Sequence, residues 1–242
     1  MSGPTHHVDD DLLLDYVTGA ATEPVALLVA CHLTLCAACR VSAAAAESVG
    51  GALLQQAPAA PLSEGALGRV LARLDEHPAP IAPWAPTASS DTPAASSGTD
   101  ADQPFAIGGV ALPRPMAHYL ARTDARSPSG AAGFRFMAPG VRGIDLPTAT
   151  PAGVRTRLLQ FSAGMEIPLH AHAAPEFTIV FSGGFSDEDG HYGPADVRVR
   201  DTASSHAQRI DRDGPCVALV INEGALLPRT WRGRLVSLLF DR

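Results

Sequence analysis

Two periods run along this chain, and the switch between them marks its organisation. From residue 9 to about residue 76 apolar residues recur every three or four positions, the spacing of amphipathic helices. Leu12, Leu13, Tyr16 and Val17 give a first helix over 9–19 an apolar face, with Asp9, Asp10 and Asp11 at its N-terminus and Gly19 at its end. Thr22, Glu23 and Pro24 start a second helix, with Pro early, where its missing N–H costs nothing. It runs through Val25, Leu28 and Val29 to about His32. A third, Ala-rich helix spans about 37–49 and is expected to end at Gly50-Gly51, and a fourth spans 63–76 with Leu67, Val70, Leu71 and Leu74 on one stripe. From about Phe105 the period shortens to two. Strands are expected at Arg155–Phe161, Glu176–Phe181, Val197–Arg200, Cys216–Ile221 and Leu235–Phe240, with two more at Gly133–Met137 and Val141–Leu146 and a short helix over Pro113–Leu120. Many short strands punctuated by Gly, Pro and Asp predict an all-β barrel or sandwich. Between the two patterns, residues 78–104 hold six Pro and four Ser and read as an extended linker. The expected layout is therefore a small all-α domain over 1–77, a linker over 78–104 carrying an isolated Trp84, and an all-β domain over 105–242, able to move independently of the first.

Composition narrows the function classes. Apolar content is 46%, enough for packed cores, and no apolar run is long enough to span a bilayer. The first residues lack the basic-then-apolar signature of a signal peptide, so a cytoplasmic protein is expected. Net charge is −7, which argues against direct nucleic-acid binding. The charge is uneven: residues 1–77 carry nine acids and three Arg, net −6, whereas 105–242 carry thirteen acids and fifteen Arg, net +2. An acidic helical domain suits a basic partner. Four Cys are too few for a disulfide scaffold, and three of them, Cys31, Cys36 and Cys39, crowd into nine residues, which points to metal or redox chemistry.

The crowded segment reads His32-x3-Cys36-x2-Cys39. Imidazole and thiolate are the donors of a tetrahedral zinc site. On a continuous helix the three side chains share one face. If the chain instead turns between His32 and Cys36, the two Cys open the next helix, where the dipole favours thiolate. His7 or His6 supplies the fourth donor. Zinc would also steady four short helices with a thin core. Cys31 faces away from His32 and reads as a small core residue, with a redox-active spare thiol as the alternative, and Cys216 reads as packing.

A second constellation lies in the β region: Gly164-x5-His170-x-His172-x3-Glu176-x6-Gly183, with His206 thirty residues beyond Glu176. In a strand His170 and His172 share a face. A hairpin bringing Glu176 back and a later strand delivering His206 would complete a three-His, one-carboxylate pocket for zinc or another divalent transition metal. This stretch resembles the first motif of the cupin family. The family's second motif matches less well: in Pro194-Ala195-Asp196-Val197 an Ala stands where Gly is usual, and Ile210 holds the usual Asn position. The resemblance implies His170, His172, Glu176 and His206 as ligands, with His191 competing for the last place.

The N-terminal pattern resembles the zinc-binding anti-sigma domain of bacterial regulators, and the order of zinc helical domain then cupin resembles the ChrR-type anti-sigma factors. The resemblance implies His7, His32, Cys36 and Cys39 as zinc ligands, favouring His7 over His6. It implies a non-enzymatic protein that sequesters an extracytoplasmic-function-type sigma factor, with the cupin-like half as sensor of an oxidative signal, singlet oxygen or an organic hydroperoxide. The competing expectation is a metal-dependent cupin enzyme, a dioxygenase or isomerase, with a regulatory zinc domain.

Overall fold

The computed structural model describes residues 3–76, 105–123, 133–149, 154–172, 175–200, 206–223 and 226–228. The linker reading, Trp84 and the strand expected at Leu235–Phe240 lie outside them. The helical region comprises α1 (Asp10–Thr18), α2 (Glu23–Leu35), α3 (Ala37–Gln56) and α4 (Ala66–Glu76). Asp9 caps α1 by accepting from the Leu12 N–H, and Gly19 closes it at φ 74°, a left-handed conformation that glycine adopts at little cost. In α3 the expected stop at Gly50-Gly51 is overridden: neither glycine has positive φ, and the helix continues to Gln56. Two glycines cost a helix of this length only about 2 kcal/mol.

The β region holds thirteen strands among the described residues. A hairpin of β1 (Phe105–Ile107) and β2 (Val110–Leu112) turns on Gly108-Gly109, both at positive φ, and leads into α5 (Arg114–Ala121). The remaining strands are β3 (Arg135–Ala138), β4 (Val141–Asp145), β5 (Val154–Phe161), β6 (Glu166–His172), β7 (Glu176–Ser182), β8 (Phe185–Asp187), β9 (Gly190–Tyr192), β10 (Val197–Arg200), β11 (His206–Ile210), β12 (Cys216–Glu223) and β13 (Leu226–Pro228). They form a six-stranded sheet ordered β10-β7-β12-β5-β4-β3 and a five-stranded sheet ordered β13-β6-β11-β8-β9. A helical N-terminal region followed by a two-sheet β domain is thus the fold.

The larger sheet is buried on both faces, and its strands show it. Leu158, Ile179, Leu219 and Ile221 pack with Leu13, Val25, Leu28, Met116 and Leu120 of the helices. Their strand neighbours Leu159, Val180, Ala218 and Val220 pack instead with Phe185, Tyr192 and Ile210 of the smaller sheet. Alternate residues therefore feed two cores, so β5, β7 and β12 read as nearly continuous apolar runs. This packing changes the expected layout. Residues Met1–Ser48 and Gln103–Arg242 form one compact unit and Val49–Asp102 a second. Helices α1 and α2 use the larger sheet as the other half of their core. Glu23 at the start of α2 adds polar ties, accepting from the Tyr119 hydroxyl at 2.8 Å and from the Ala149 N–H at 2.6 Å. No single helix among the described residues is long and apolar enough to cross a membrane.

Candidate metal centres

The helical chemistry concentrates at the corner between α2 and α3. Cys36 ends α2, its N–H donating to the His32 carbonyl at 2.8 Å, and at φ −114° it has left helical geometry. Its Sγ then accepts from the Cys39 N–H at 3.4 Å, capping α3. Of the two geometries open in the sequence, the chain takes the turn, which sets Cys36 and Cys39 at the N-terminus of α3.

Four donors meet there. His32 Nε2 lies 3.2 Å from Cys39 Sγ, and His7 Nδ1 lies 3.3 Å from Cys36 Sγ and 3.4 Å from Cys39 Sγ. All four ligand atoms fall within 4.8 Å of one another. A tetrahedron with the usual zinc–sulfur and zinc–nitrogen bond lengths has edges of about 3.3–3.8 Å, so the donor set fits zinc in chemistry and size. His32 is fully buried, and its Nδ1–H donates to the Ala195 carbonyl at 2.9 Å. A carbonyl can only accept, so the proton sits on Nδ1 and Nε2 is free for a cation. Burial lowers the His32 pKa, which keeps the ring neutral. Burial, with Cys36 beside it, pushes the Cys39 thiol up to about 11. A thiol of this kind gives up its proton when a cation binds. His6 is engaged elsewhere, its N–H donating to Asp196 Oδ1 at 2.8 Å and its ring 4.3 Å from that of Tyr192.

Cys31 and Cys216 are wholly buried, and burial pushes both thiols up to about 12. Cys31 packs in the helix-facing core, which favours the core reading over the redox one. In the folded chain neither should react with a maleimide, and both should react in denaturant. Native labelling of Cys31, mapped by peptide mass spectrometry, would contradict this.

In the β region the candidate ligands are distributed differently from the expected hairpin. His170 and His172 lie on β6 of the five-stranded sheet, Glu176 on β7 of the six-stranded one, so the chain crosses between sheets instead of folding back. The backbone register sets His206 opposite His170. The side chains of His172 and His206 lie outside the described residues. His170 Nδ1 donates to the Pro168 carbonyl at 2.8 Å. Glu176 is buried and accepts from Asn222 Nδ2 at 2.6 Å and Arg198 Nη1 at 3.3 Å. Arg198 also lies 2.6 Å from Asp187. His191 is largely exposed and paired with Asp211 at 2.9 Å. The motif's last glycine has a backbone reason: at Gly183, φ 67°, a Cβ would stand 2.3 Å from the Pro215 carbonyl oxygen.

What sequence reasoning missed is the turn that supports the helical site. Asp196 accepts from the N–H groups of Thr5, His6 and Gly193 at 2.6, 2.8 and 2.8 Å. Residues 190 positions apart leave no periodicity to read. The one cue was Ala195 in a place where glycine is usual, and its φ is indeed 73°.

Comparison with known proteins places the chain beside a described family and its relatives. Residues 124–226 match the family model described as the ChrR cupin-like domain. Over 237 residues the chain is 33% identical to the anti-sigma-E factor ChrR of Cereibacter sphaeroides, covering 97% of each chain. It is also similar to the crystal structure of Rhodobacter sphaeroides SigE in complex with the anti-sigma ChrR, with TM-score 0.66 and 31% identity over 90% of this chain and 98% of that one.

Proposed function

Because the chain belongs to the ChrR family of anti-sigma factors, we propose that it holds an extracytoplasmic-function-type sigma factor in the cytoplasm, away from core RNA polymerase, and lets it go on an oxidative signal. The observation that carries this reading is the full-length likeness to a protein solved in complex with its sigma factor. The cluster of His7, His32, Cys36 and Cys39 holds zinc and fixes the corner from which α3 departs. The gripping surface lies beyond that corner. Val49, Leu53 and Leu54 of α3 and Leu67, Val70 and Leu71 of α4 are all exposed, and those on α4 form one stripe. A surface of this kind is covered by a partner. The acidic character of residues 1–77 suits a partner whose own task is to bind DNA.

The cupin-like half serves as the sensor, with His170, His172, Glu176 and His206 as its metal ligands. Singlet oxygen or an organic hydroperoxide acts there or oxidises the zinc thiolates directly, and either event weakens the complex. A regulatory rather than enzymatic role is supported by the full-length likeness to an anti-sigma factor.

The test uses the full chain, since α1 and α2 need the larger sheet to bury their apolar residues. Tagged wild-type protein and its His32→Ala variant are used as baits in extract of the native bacterium, with mass spectrometry as the readout. A sigma factor captured by wild type alone is the expected result. Failure of both baits to capture one would overturn the proposal.

A further inference from the structure

We infer that the turn Gly193–Val197 of the cupin-like region is a working part of the helical zinc site, with Asp196 as its positioning residue. The inference rests on the reading of His7, His32, Cys36 and Cys39 as zinc ligands. Two of those four are held from this one turn. His32 is oriented by the Ala195 carbonyl, which takes its Nδ1 proton at 2.9 Å. His7 belongs to no helix; it follows a short N-terminal arm, and the arm is fastened to Asp196. Thr5 and His6 both donate their N–H groups to Asp196 Oδ1, and the Thr5 hydroxyl stands 3.2 Å from Oδ2. The Val197 N–H then donates to the His6 carbonyl at 3.0 Å, so the arm lies against the start of β10. The His6 ring lies 4.3 Å from that of Tyr192, the last residue of β9.

The turn has the properties of a rigid support. Asp196 is buried and also ties its own loop through the Gly193 N–H at 2.8 Å. Ala195 is held in a left-handed conformation that an alanine leaves unless its neighbours fix it, and they do: its N–H donates to the Val180 carbonyl at 2.8 Å and its carbonyl accepts from His32. Groups that orient the ligands of a metal typically change its affinity about 10–100-fold when removed. Two residues past Asp196, Arg198 pairs with Glu176, so the same short strand joins the zinc ligands to a candidate ligand of the β region.

The test is cobalt titration of the full chain against a competing chelator, read by thiolate-to-cobalt charge-transfer absorption. The β-region candidates include no thiolate, so this band reports the helical site. Wild type should show the band and Cys36→Ser should lose it. Asp196→Asn should bind cobalt about tenfold more weakly, with an altered spectrum at saturation, and Asp196→Glu should recover part of the affinity. Near-UV circular dichroism of each metal-free variant checks the fold. If Asp196→Asn fails to fold, Thr5→Val, which removes only hydroxyl contacts on the arm, should weaken cobalt about twofold. Wild-type affinity in a folded Asp196→Asn, or in Thr5→Val where Asp196→Asn does not fold, would overturn the inference. Absence of the band from wild type would overturn the zinc reading beneath it.

Discussion

Cys39→Ser should lose its N-terminal zinc and with it the capture of a sigma factor. Cys39 Sγ touches both imidazoles, at 3.2 Å from His32 and 3.4 Å from His7, so it is the donor most central to the set. Structural zinc contributes about 10–16 kcal/mol in small zinc domains, and one donor of four carries on the order of a quarter of that. A loss of about 3 kcal/mol weakens zinc by roughly two orders of magnitude. Once the corner loosens, α3 departs from α2 without a fixed angle, and the apolar stripe beyond it is no longer presented to a partner. Zinc per chain, measured after gel filtration, should fall by one equivalent. A Cys39→Ser chain that retained that equivalent and still captured a sigma factor would show that the donors have been wrongly assigned.

Arg198→Met should be the most destabilising single change in the β region. Arg198 is 3% exposed and links Glu176, at 3.3 Å, with Asp187, at 2.6 Å, the latter fully buried. Removing one partner of a buried ion pair costs about 3–5 kcal/mol because the other charge stays behind. Two neighbours soften the loss, Asn222 on Glu176 and Arg200 at 3.3 Å from Asp187, so the lower end of that range applies. In a domain of this size, about 3 kcal/mol lowers the melting temperature by roughly 6–12 °C. Arg209→Met is the control: its pair with Glu166 is two-thirds exposed on both sides and is worth at most about 1 kcal/mol. Equal melting temperatures for the two variants would contradict the assigned role of Arg198.

The sequence revealed local chemistry well and long-range packing poorly. The Asp9 cap, the Gly19 stop and the early Pro24 each act within one helical turn, so their effect can be read from neighbouring residues. The spacing His32-x3-Cys36-x2-Cys39 is equally local, and the corner geometry was one of two that it allowed. The strands β5, β7, β10 and β12 were visible as short period-2 runs, although β5, β7 and β12 are nearly continuous in apolar residues. Their continuity also carried the fact that both faces are buried, but which elements cover each face depends on residues more than a hundred positions away. For the same reason α1 and α2 read as a separate domain. The three-residue strands β8 and β9 are too short for a period to register. The crossing between sheets after β6 replaces the expected hairpin, and no turn signal distinguishes the two. Asp196 lies 190 residues from its partner His6, beyond any pattern that spacing can reveal.

The packing of α2 against a sheet encoded far downstream has a consequence for synthesis. Leu28 and Val29 are fully buried in the finished protein, yet their partners Ile179 and Leu219 follow about 150–190 residues later. At the usual pace of translation, about 5–20 residues per second, these side chains wait roughly ten to forty seconds for cover. The donors of the metal cluster, by contrast, are all present once residue 39 has been made. An ion taken up at that stage would fasten a nascent helical corner long before its supporting turn exists. Metal starvation would then be felt first on the ribosome, as aggregation or proteolysis of new chains, before it emptied the site in finished molecules.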